Sequence, residues 1–292
     1  MKKFLLIAAG MSVVLCAGQA PAPSDRLVGI GTHRLQMRLA GQGSPVIVID
    51  AGITDGIDKL KPLQDQLAVG ARVVTYDRAG YGRSDPGPLP RDCGREAEEL
   101  KALLEAAAIP GPYVLVGHSL GGLNVQVFAA KYPKDTAALI LLDPPPLSFI
   151  LKKDYADLAA MAGRMTAEWQ GMADAGAGSA DPRKSGEAGF FRMIASEHRE
   201  MFGESGRLAA EIDSFFKTPL LVMAAGVPNP RFGAVAEEYQ NYWIEQSLAL
   251  SRKSSNGRFI LAERCSHYIY LDDPELVAAS ILSVVDEVRG RK

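Results

Sequence analysis

Residues 113–122 read YVLVGHSLGG, in which four apolar or aromatic residues lead directly into a G-x-S-x-G pentapeptide. A segment of helical composition, residues 123–131, follows at once. A strand, a sharp turn and a helix in this order are the context in which the pentapeptide marks a nucleophile elbow. Gly117 and Gly121 would let strand and helix pass close together. Ser119 would then lie exposed at a helix N-terminus, where negative charge is favoured.

The rest of the chain alternates strand patterns with helical patterns. Near-continuous apolar runs, typical of strands buried on both faces, occur at 45–50, 71–76, 113–117, 138–142, 219–225 and 258–261. Helical segments are predicted at 60–67, 95–108, from 120 onward, 235–252 and 274–288. An antiparallel hairpin, turning at Gly31 and Thr32, precedes them over residues 27–39. The sequence therefore predicts an α/β fold, with a mostly parallel central sheet of about eight strands and helices on both faces.

Residues 144–216 interrupt this alternation. They are helical in composition, with a Gly/Ser/Asp/Pro-rich stretch at 175–186. We interpret them as a helical lid inserted into an α/β core that comprises residues 21–143 and 217–292. The methionine and phenylalanine side chains of this lid segment either line an apolar pocket or only pack the lid itself. They are Met161, Met165, Met172, Phe190, Phe191 and Met193.

Residues 1–20 have the order of regions found in a secretory signal peptide. Two lysines precede an apolar run over residues 4–16, and small and polar residues follow as far as Ser24. The apolar run is short for a membrane span, so we expect cleavage within residues 17–22 and no stable membrane insertion afterwards. The expected location is secreted or periplasmic. An uncleaved anchor and lipidation at Cys16 are the alternatives.

The composition gives no support to several other function classes. The chain has 292 residues, 47% hydrophobic and 23% charged, with a formal net charge of −2. It has no basic stripe, zinc-spaced Cys/His cluster or G-x-x-x-x-G-K-S/T loop. We therefore expect no nucleic-acid partner, no metal and no organic cofactor, and the oligomeric state stays open. After signal removal Cys93 and Cys265 remain, in predicted loops at the C-terminal edge of the sheet, where one disulfide or two free thiols are both possible.

Acyl transfer by a serine needs the hydroxyl, a base, a carboxylate that orients the base, and donors for the oxyanion. With Ser119 as nucleophile, the base is one of four histidines. His267 follows the last predicted strand and precedes the final helix, where a serine hydrolase of this strand order has its base. His118 lies inside the elbow and is expected to point away from the partners of Ser119. His33 lies in the hairpin and His198 in the lid segment.

The third member of the triad is expected between the serine and the histidine in chain order. Asp143 directly follows the strand 138–142, and a carboxylate there faces the active-site edge of the sheet. The loop after the strand 219–225 has no carboxylate. Glu237 or Glu238, at the start of a helix, is the alternative acid. Asp143 would otherwise only cap its loop, as Asp before Pro often does.

Two backbone N–H groups are expected to form the oxyanion hole. One belongs to Leu120, directly after the nucleophile. The other is assigned to Ile53, in the loop 51–54 after the strand 45–50, where Gly52 permits close backbone approach.

Together these residues resemble the α/β-hydrolase fold superfamily, over about residues 27–288. Besides the elbow, residues 76–85 read YDRAGYGRSD, similar to the D-R-x-G-x-G-x-S segment of small-molecule hydrolases in that family. The terminal Ser266-His267 pair is followed by Asp-Pro-Glu at 273–275 and a last helix, as in the family. The resemblance is specific for fold and says little about substrate.

Two departures from the family pattern stand out. The usual His-Gly after the third strand is Ala51-Gly52, so the oxyanion loop lacks that side chain. The usual acid after the penultimate core strand is also missing; haloalkane dehalogenases take it one strand earlier, which fits Asp143. Because residue 119 is a serine, the resemblance does not extend to dehalogenase or epoxide-hydrolase chemistry, which needs a carboxylate nucleophile.

The sequence thus predicts an exported serine hydrolase that acts on a small or medium apolar ester, its partner being a small-molecule acyl substrate. A lactonase, thioesterase, C–C bond hydrolase, perhydrolase or cofactor-free haloperoxidase on the same fold stays open, as does acyl transfer to an alcohol. The alternative of another class is a non-catalytic binding or sensor protein.

Overall fold

Eight strands form one sheet in the computed structural model, which describes residues 22–146 and 156–290. The strands are β1 (Ser24–Gly29), β2 (Arg34–Ala40), β3 (Val46–Asp50), β4 (Arg72–Tyr76), β5 (Tyr113–His118), β6 (Thr136–Leu142), β7 (Leu220–Ala225) and β8 (Gly257–Ala262). Their spatial order is β1-β2-β4-β3-β5-β6-β7-β8. β2 runs antiparallel to β1 and β4, and every other neighbouring pair is parallel. The predicted fold class is confirmed.

Nine α-helices belong to the described residues. They are α1 (Ile57–Leu67), α2 (Cys93–Ala106), α3 (Leu120–Lys131), α4 (Ala156–Gly176), α5 (Pro182–Met201), α6 (Glu204–Ala210), α7 (Ala236–Ser251), α8 (Ile269–Asp272) and α9 (Pro274–Gly290). The short helix α8 was not predicted, because its four residues are too few to show a helical period. No helix in this part of the chain is long and apolar enough to cross a membrane.

The sheet separates two hydrophobic cores, because successive side chains of a strand point to opposite faces. On β3, Val46 and Val48 pack with helices α2 and α3, whereas Ile47 and Ile49 pack with helices α1 and α9. Burial on both faces is the reason why these strands read as continuous apolar runs. The parallel strands β3, β5, β6 and β8 all point their carboxyl ends to one edge, where the loops that follow them meet.

Helices α4, α5 and α6 lie between β6 and β7, inside the lid segment defined above (residues 144–216). The Gly/Ser/Asp/Pro-rich stretch contains a helix start, because Asp181 accepts a hydrogen bond from the Arg183 backbone N–H and Pro182 opens α5. The methionine and phenylalanine side chains divide between the two expected roles. Met161 and Met165 line a cavity; Phe190, Phe191 and Met193 pack together with Tyr81; Met172 is exposed.

The expectations for the N-terminal leader and for the two cysteines have different outcomes. The leader predicted at residues 1–20 lies outside the described residues. Cys93 was expected in a loop but begins α2, because the Asp92 carboxylate caps that helix by accepting from the Arg95 N–H at 3.0 Å. Cys265 does lie in the loop after β8, and both thiols are buried and free.

Candidate active site

The turn between β5 and α3 holds Ser119 in a strained backbone conformation, with φ 51° and ψ −121°. Such a conformation costs about 1–3 kcal/mol and persists only where surrounding contacts impose it. Here the Ser119 N–H donates to the Leu142 carbonyl at 3.0 Å. The crossing of strand and helix has no room for side chains. A Cβ on Gly117 would lie 2.3 Å from the Gly121 oxygen, and a Cβ on Gly121 would lie 2.3 Å from the Asp50 oxygen.

His267 and Asp143, from the loops after β8 and β6, meet at this edge of the sheet. Nδ1 of His267 lies 2.6 Å from Oδ2 of Asp143. The other carboxylate oxygen of Asp143 accepts from the Ala225 backbone N–H at 2.9 Å, and its side chain is almost fully buried. The carboxylate is therefore fixed from both sides, and an Nδ1–H donated to it leaves Nε2 of His267 as the free nitrogen.

Ser119 and His267 line the same cavity. The hydrogen bonds of the described residues do not include one between the Ser119 hydroxyl and the His267 ring. Such contacts are often long in an empty site and tighten in the complex with substrate. The alternative acids, Glu237 and Glu238, lie in the first turn of α7, and it is Asp143 that the structure brings to the histidine.

His118, inside the elbow, was expected to point away from the catalytic partners, and that expectation is wrong. Its Nε2 donates to the backbone carbonyl of His267 at 2.8 Å, and the two rings are 4.7 Å apart. Burial, followed by the nearby charge of His267, lowers the pKa of His118 well below its ordinary value. His118 is thus a neutral ring that fixes the backbone of His267 without placing a positive charge next to the His267 ring.

The loop after β3 lies against the nucleophile. A Cβ on Gly52 would lie 2.8 Å from Nδ1 of His118 and 3.3 Å from the Ser119 Cβ, so glycine is required for this approach. Ile53, next along, lines the cavity with Ser119. Within the described part of the chain, neither the Ile53 N–H nor the Leu120 N–H donates a hydrogen bond to the protein. Both predicted oxyanion donors are therefore available.

Arg78 supports this loop from behind. Its guanidinium donates to the Ala51 carbonyl at 2.7 Å and to the Gly52 carbonyl at 3.0 Å. It also pairs with Asp50 at 2.8 Å. The side chain is fully buried, and burial alone would lower the pKa of Arg78. The charge of Glu197 and other nearby acids outweighs burial and raises that pKa, so the cation is kept.

Glu197 connects this arginine to the lid segment. It lies on α5, its side chain has no exposure to solvent, and its two oxygens accept from Nε and Nη2 of Arg78 at 3.1 and 3.2 Å. The Tyr81 hydroxyl donates to it at 2.5 Å. Burial, reinforced by the Glu197 charge, raises the pKa of Tyr81 well above its ordinary value, so this hydroxyl stays a donor.

The cavity at Ser119 has a volume of 210 Å³, small for a ligand site. It is lined by apolar side chains of the lid segment and of α7, with few polar groups. The apolar lining includes Ile53, Leu158, Met161, Met165, Trp169, Met201, Phe202, Phe232 and Trp243. The polar and charged lining includes His198, Asn229 and Arg231 besides Ser119 and His267.

A larger cavity of 500 Å³ lies next to it. The two share Pro145, Pro146, Met201 and Phe202, but the lining of the larger one includes neither Ser119 nor His267. The candidate chemistry therefore lies in the smaller cavity. No group of three or more His, Cys, Asp or Glu side chains that could hold a metal ion occurs among residues 22–146 and 156–290.

Sequence reasoning missed the roles of Arg78, Glu197 and His198. Arg78 belongs to the D-R-x-G-x-G-x-S segment, and its position two residues after the buried strand β4 indicates a contact at the active-site edge. Glu197 gave no signal of its own, because its partner is 119 residues away in the chain. Only the packing of α5 on the sheet edge shows it.

Comparisons with known proteins agree with this fold. A family model described as "Alpha/beta hydrolase family" matches residues 55–280. The uncharacterized protein YqjL of Bacillus subtilis is 28% identical over 244 residues, which cover 84% of this chain and 85% of that protein. The 2-(acetamidomethylene)succinate hydrolase of Mesorhizobium japonicum is 32% identical over 122 residues, 42% of this chain and 43% of the relative.

Among solved structures, a thermophilic esterase from Thermogutta terrifontis, determined with malate bound, superimposes with a TM-score of 0.62. The match covers 92% of this chain and 99% of the esterase at 20% sequence identity. At that identity the similarity is one of fold.

Proposed function

The chain belongs to the alpha/beta hydrolase family and is a hydrolase, and on that premise we propose that it is a serine esterase acting through an acyl-enzyme. The proposed substrate is a small or medium apolar ester. The observation that carries the proposal is the placement of Ser119, on its strained turn, in one apolar cavity with His267, whose Nδ1 lies 2.6 Å from Asp143. The predicted leader supports the further proposal that the enzyme is exported.

The proposed first half-reaction forms the acyl-enzyme. The Ser119 hydroxyl attacks the ester carbonyl while Nε2 of His267 takes its proton. Asp143 holds the ring in the Nδ1–H form and stabilises the imidazolium that results. The N–H groups of Ile53 and Leu120 donate to the oxyanion. Collapse of the tetrahedral intermediate expels the alcohol, which receives the proton from His267.

The second half-reaction reverses these roles with water as nucleophile. His267 removes a proton from water, the hydroxide attacks the acyl carbonyl, and the carboxylic acid leaves as Ser119 regains its proton. The proposal needs no other group than those already at the sheet edge. The 210 Å³ cavity, with its methionine and aromatic lining, favours a short apolar acyl chain over a long one.

The test is hydrolysis of p-nitrophenyl esters from acetate to dodecanoate by the purified protein. We expect the highest kcat/KM among the shorter esters and labelling of Ser119 by a fluorophosphonate. Ser119→Ala should lower kcat by about 10⁴–10⁶-fold and abolish labelling. Turnover that survives in Ser119→Ala, or a preference for the longest ester, would refute the proposal.

The acid is tested in the same assay. Asp143→Asn should lower kcat by about three to four orders of magnitude, because the histidine loses its charged partner and its fixed tautomer. Glu237→Gln and Glu238→Gln are the controls and should leave kcat near that of the wild type. Loss of activity in one of the glutamate variants and not in Asp143→Asn would move the acid to α7.

A further inference from the structure

The candidate active-site cavity contains a buried histidine that the proposed mechanism does not use. His198 lies near the end of α5, is 5% exposed, and lines the same cavity as Ser119 and His267. A polar ring buried among methionine and tryptophan side chains costs free energy unless its nitrogens find partners. The partners of its two nitrogens therefore indicate what it can bind.

One nitrogen has a hydrogen-bond partner on α4, and this contact is the basis for assigning the tautomer. Nδ1 of His198 lies 2.7 Å from the Thr166 hydroxyl, which itself donates to the Ala162 carbonyl at 3.1 Å. A hydroxyl has a single hydrogen, and a carbonyl can only accept. With that hydrogen assigned to the Ala162 carbonyl, the Thr166 oxygen accepts from His198, and the ring is assigned its hydrogen on Nδ1. Nε2 is left with a lone pair.

The second nitrogen has no hydrogen-bond partner among the residues that the structure describes. The ring cannot turn easily to find one, because Trp169 and Phe202 pack edge to face on it at centroid distances of 5.0 and 4.9 Å. His198 thus presents a fixed and unpaired hydrogen-bond acceptor in an apolar cavity. An acceptor of this kind discriminates strongly, because a ligand without a matching donor leaves it desolvated and unpaired.

We propose that Nε2 of His198 accepts a hydrogen bond from a hydroxyl group of the substrate, so that the preferred esters are hydroxylated ones. This inference rests on the proposed esterase function and narrows its substrate class, from small or medium apolar esters in general to those that carry one hydroxyl group on an otherwise apolar chain. Burial lowers the pKa of His198 to about 4, which keeps the ring neutral and able to accept. A neutral donor fits better than an ammonium group, because Arg231 already places a positive charge on the cavity lining.

The experiment compares p-nitrophenyl butyrate with the p-nitrophenyl esters of α- and β-hydroxybutyrate. In the wild type, kcat/KM for at least one hydroxylated ester should exceed that for butyrate by about tenfold. In His198→Phe, which keeps a ring of similar shape but has no acceptor, this ratio should fall to about one. Thr166→Val, which frees the tautomer, should lower the ratio by a smaller factor. Met172→Leu, the same substitution at an exposed position of α4 outside the cavity, is the control and should keep the ratio.

Two results would overturn the inference. One is a wild type that prefers butyrate to both hydroxylated esters. The other is a ratio that persists in His198→Phe. If no ester is turned over at all, the proposed function fails, and the inference is still decided by binding to the wild type. Nε2 of His198, followed by ¹⁵N NMR, should shift with β-hydroxybutyramide and not with butyramide; equal shifts would contradict it.

Discussion

Replacing Glu197 by glutamine tests whether the lid segment helps to hold the oxyanion loop. The change keeps the shape of the side chain but removes the charge that faces Nε and Nη2 of Arg78 at 3.1 and 3.2 Å. Removing one partner of a buried ion pair costs about 3–5 kcal/mol. Since Arg78 keeps Asp50 at 2.8 Å, we expect the lower end, about 3 kcal/mol, or about a hundredfold in the folding equilibrium.

The free energy of unfolding is measured by urea denaturation, with Glu187→Gln as the control. Glu187 is exposed on the same helix α5, so its substitution should change stability by less than about 0.5 kcal/mol. In kinetics, kcat should fall more than KM rises, because Arg78 positions the carbonyls of Ala51 and Gly52 and through them the oxyanion donor. Equal unfolding free energies for Glu197→Gln and the control would refute the reasoning.

Three further expectations follow from the same structure. His198, with a pKa lowered to about 4, should keep a neutral ring across about pH 5–8 in an NMR titration, and His118, whose pKa burial also lowers, should be neutral at about pH 6.5 and above. Both histidines have a folded pKa below the unfolded value of about 6.5, so below that pH the unfolded state takes up protons that the folded state does not. The folded state is therefore fully stable above about pH 6.5 and loses stability as the pH falls. An NMR midpoint near about pH 6.5 for either ring would contradict this. Gly121→Ala should lower the free energy of unfolding in urea by more than about 3 kcal/mol, because its Cβ would lie 2.3 Å from the Asp50 oxygen. Gly189→Ala on α5 is the control; with open space around it, this change should be neutral or slightly stabilising. Tyr81→Phe should cost about 1.5–3 kcal/mol, since it removes a hydroxyl that donates to a buried carboxylate; an unchanged melting temperature would argue against that bond.

The parts of the fold that sequence predicted well are those that local chemistry determines. A strand buried on both faces is largely apolar, so β3, β5, β6 and β7 could be located from the residues alone. The elbow could be found because its glycines stand beside the serine. Asp143 could be placed at the active-site edge because it directly follows a strand that had already been identified.

Contacts between distant segments could not be predicted in this way. The bond from His118 to the His267 carbonyl joins residues 149 positions apart, and nothing in the pentapeptide shows where that side chain points. The acceptor role proposed for His198 depends on a hydroxyl of another helix, because its tautomer is assigned from the contact with Thr166.

The start of α2 was missed for a local reason. Cys93 and Gly94 are weak helix formers, and the cap at Asp92 outweighs them.

Glu197 and His198 are adjacent on α5 but contact different parts of the molecule, and this affects how the enzyme can be re-engineered. Glu197 supplies the counter-charge for Arg78, which supports the loop beside Ser119, while His198 lines the candidate active-site cavity. A chimaera that carried the lid segment of a relative would therefore alter both the selectivity and the support of Arg78. Only a relative with a carboxylate at the position of Glu197 would preserve that support. Substitutions restricted to the cavity side of α4 and α5 leave that ion pair in place, and they are the route by which selectivity can change while the scaffold is conserved.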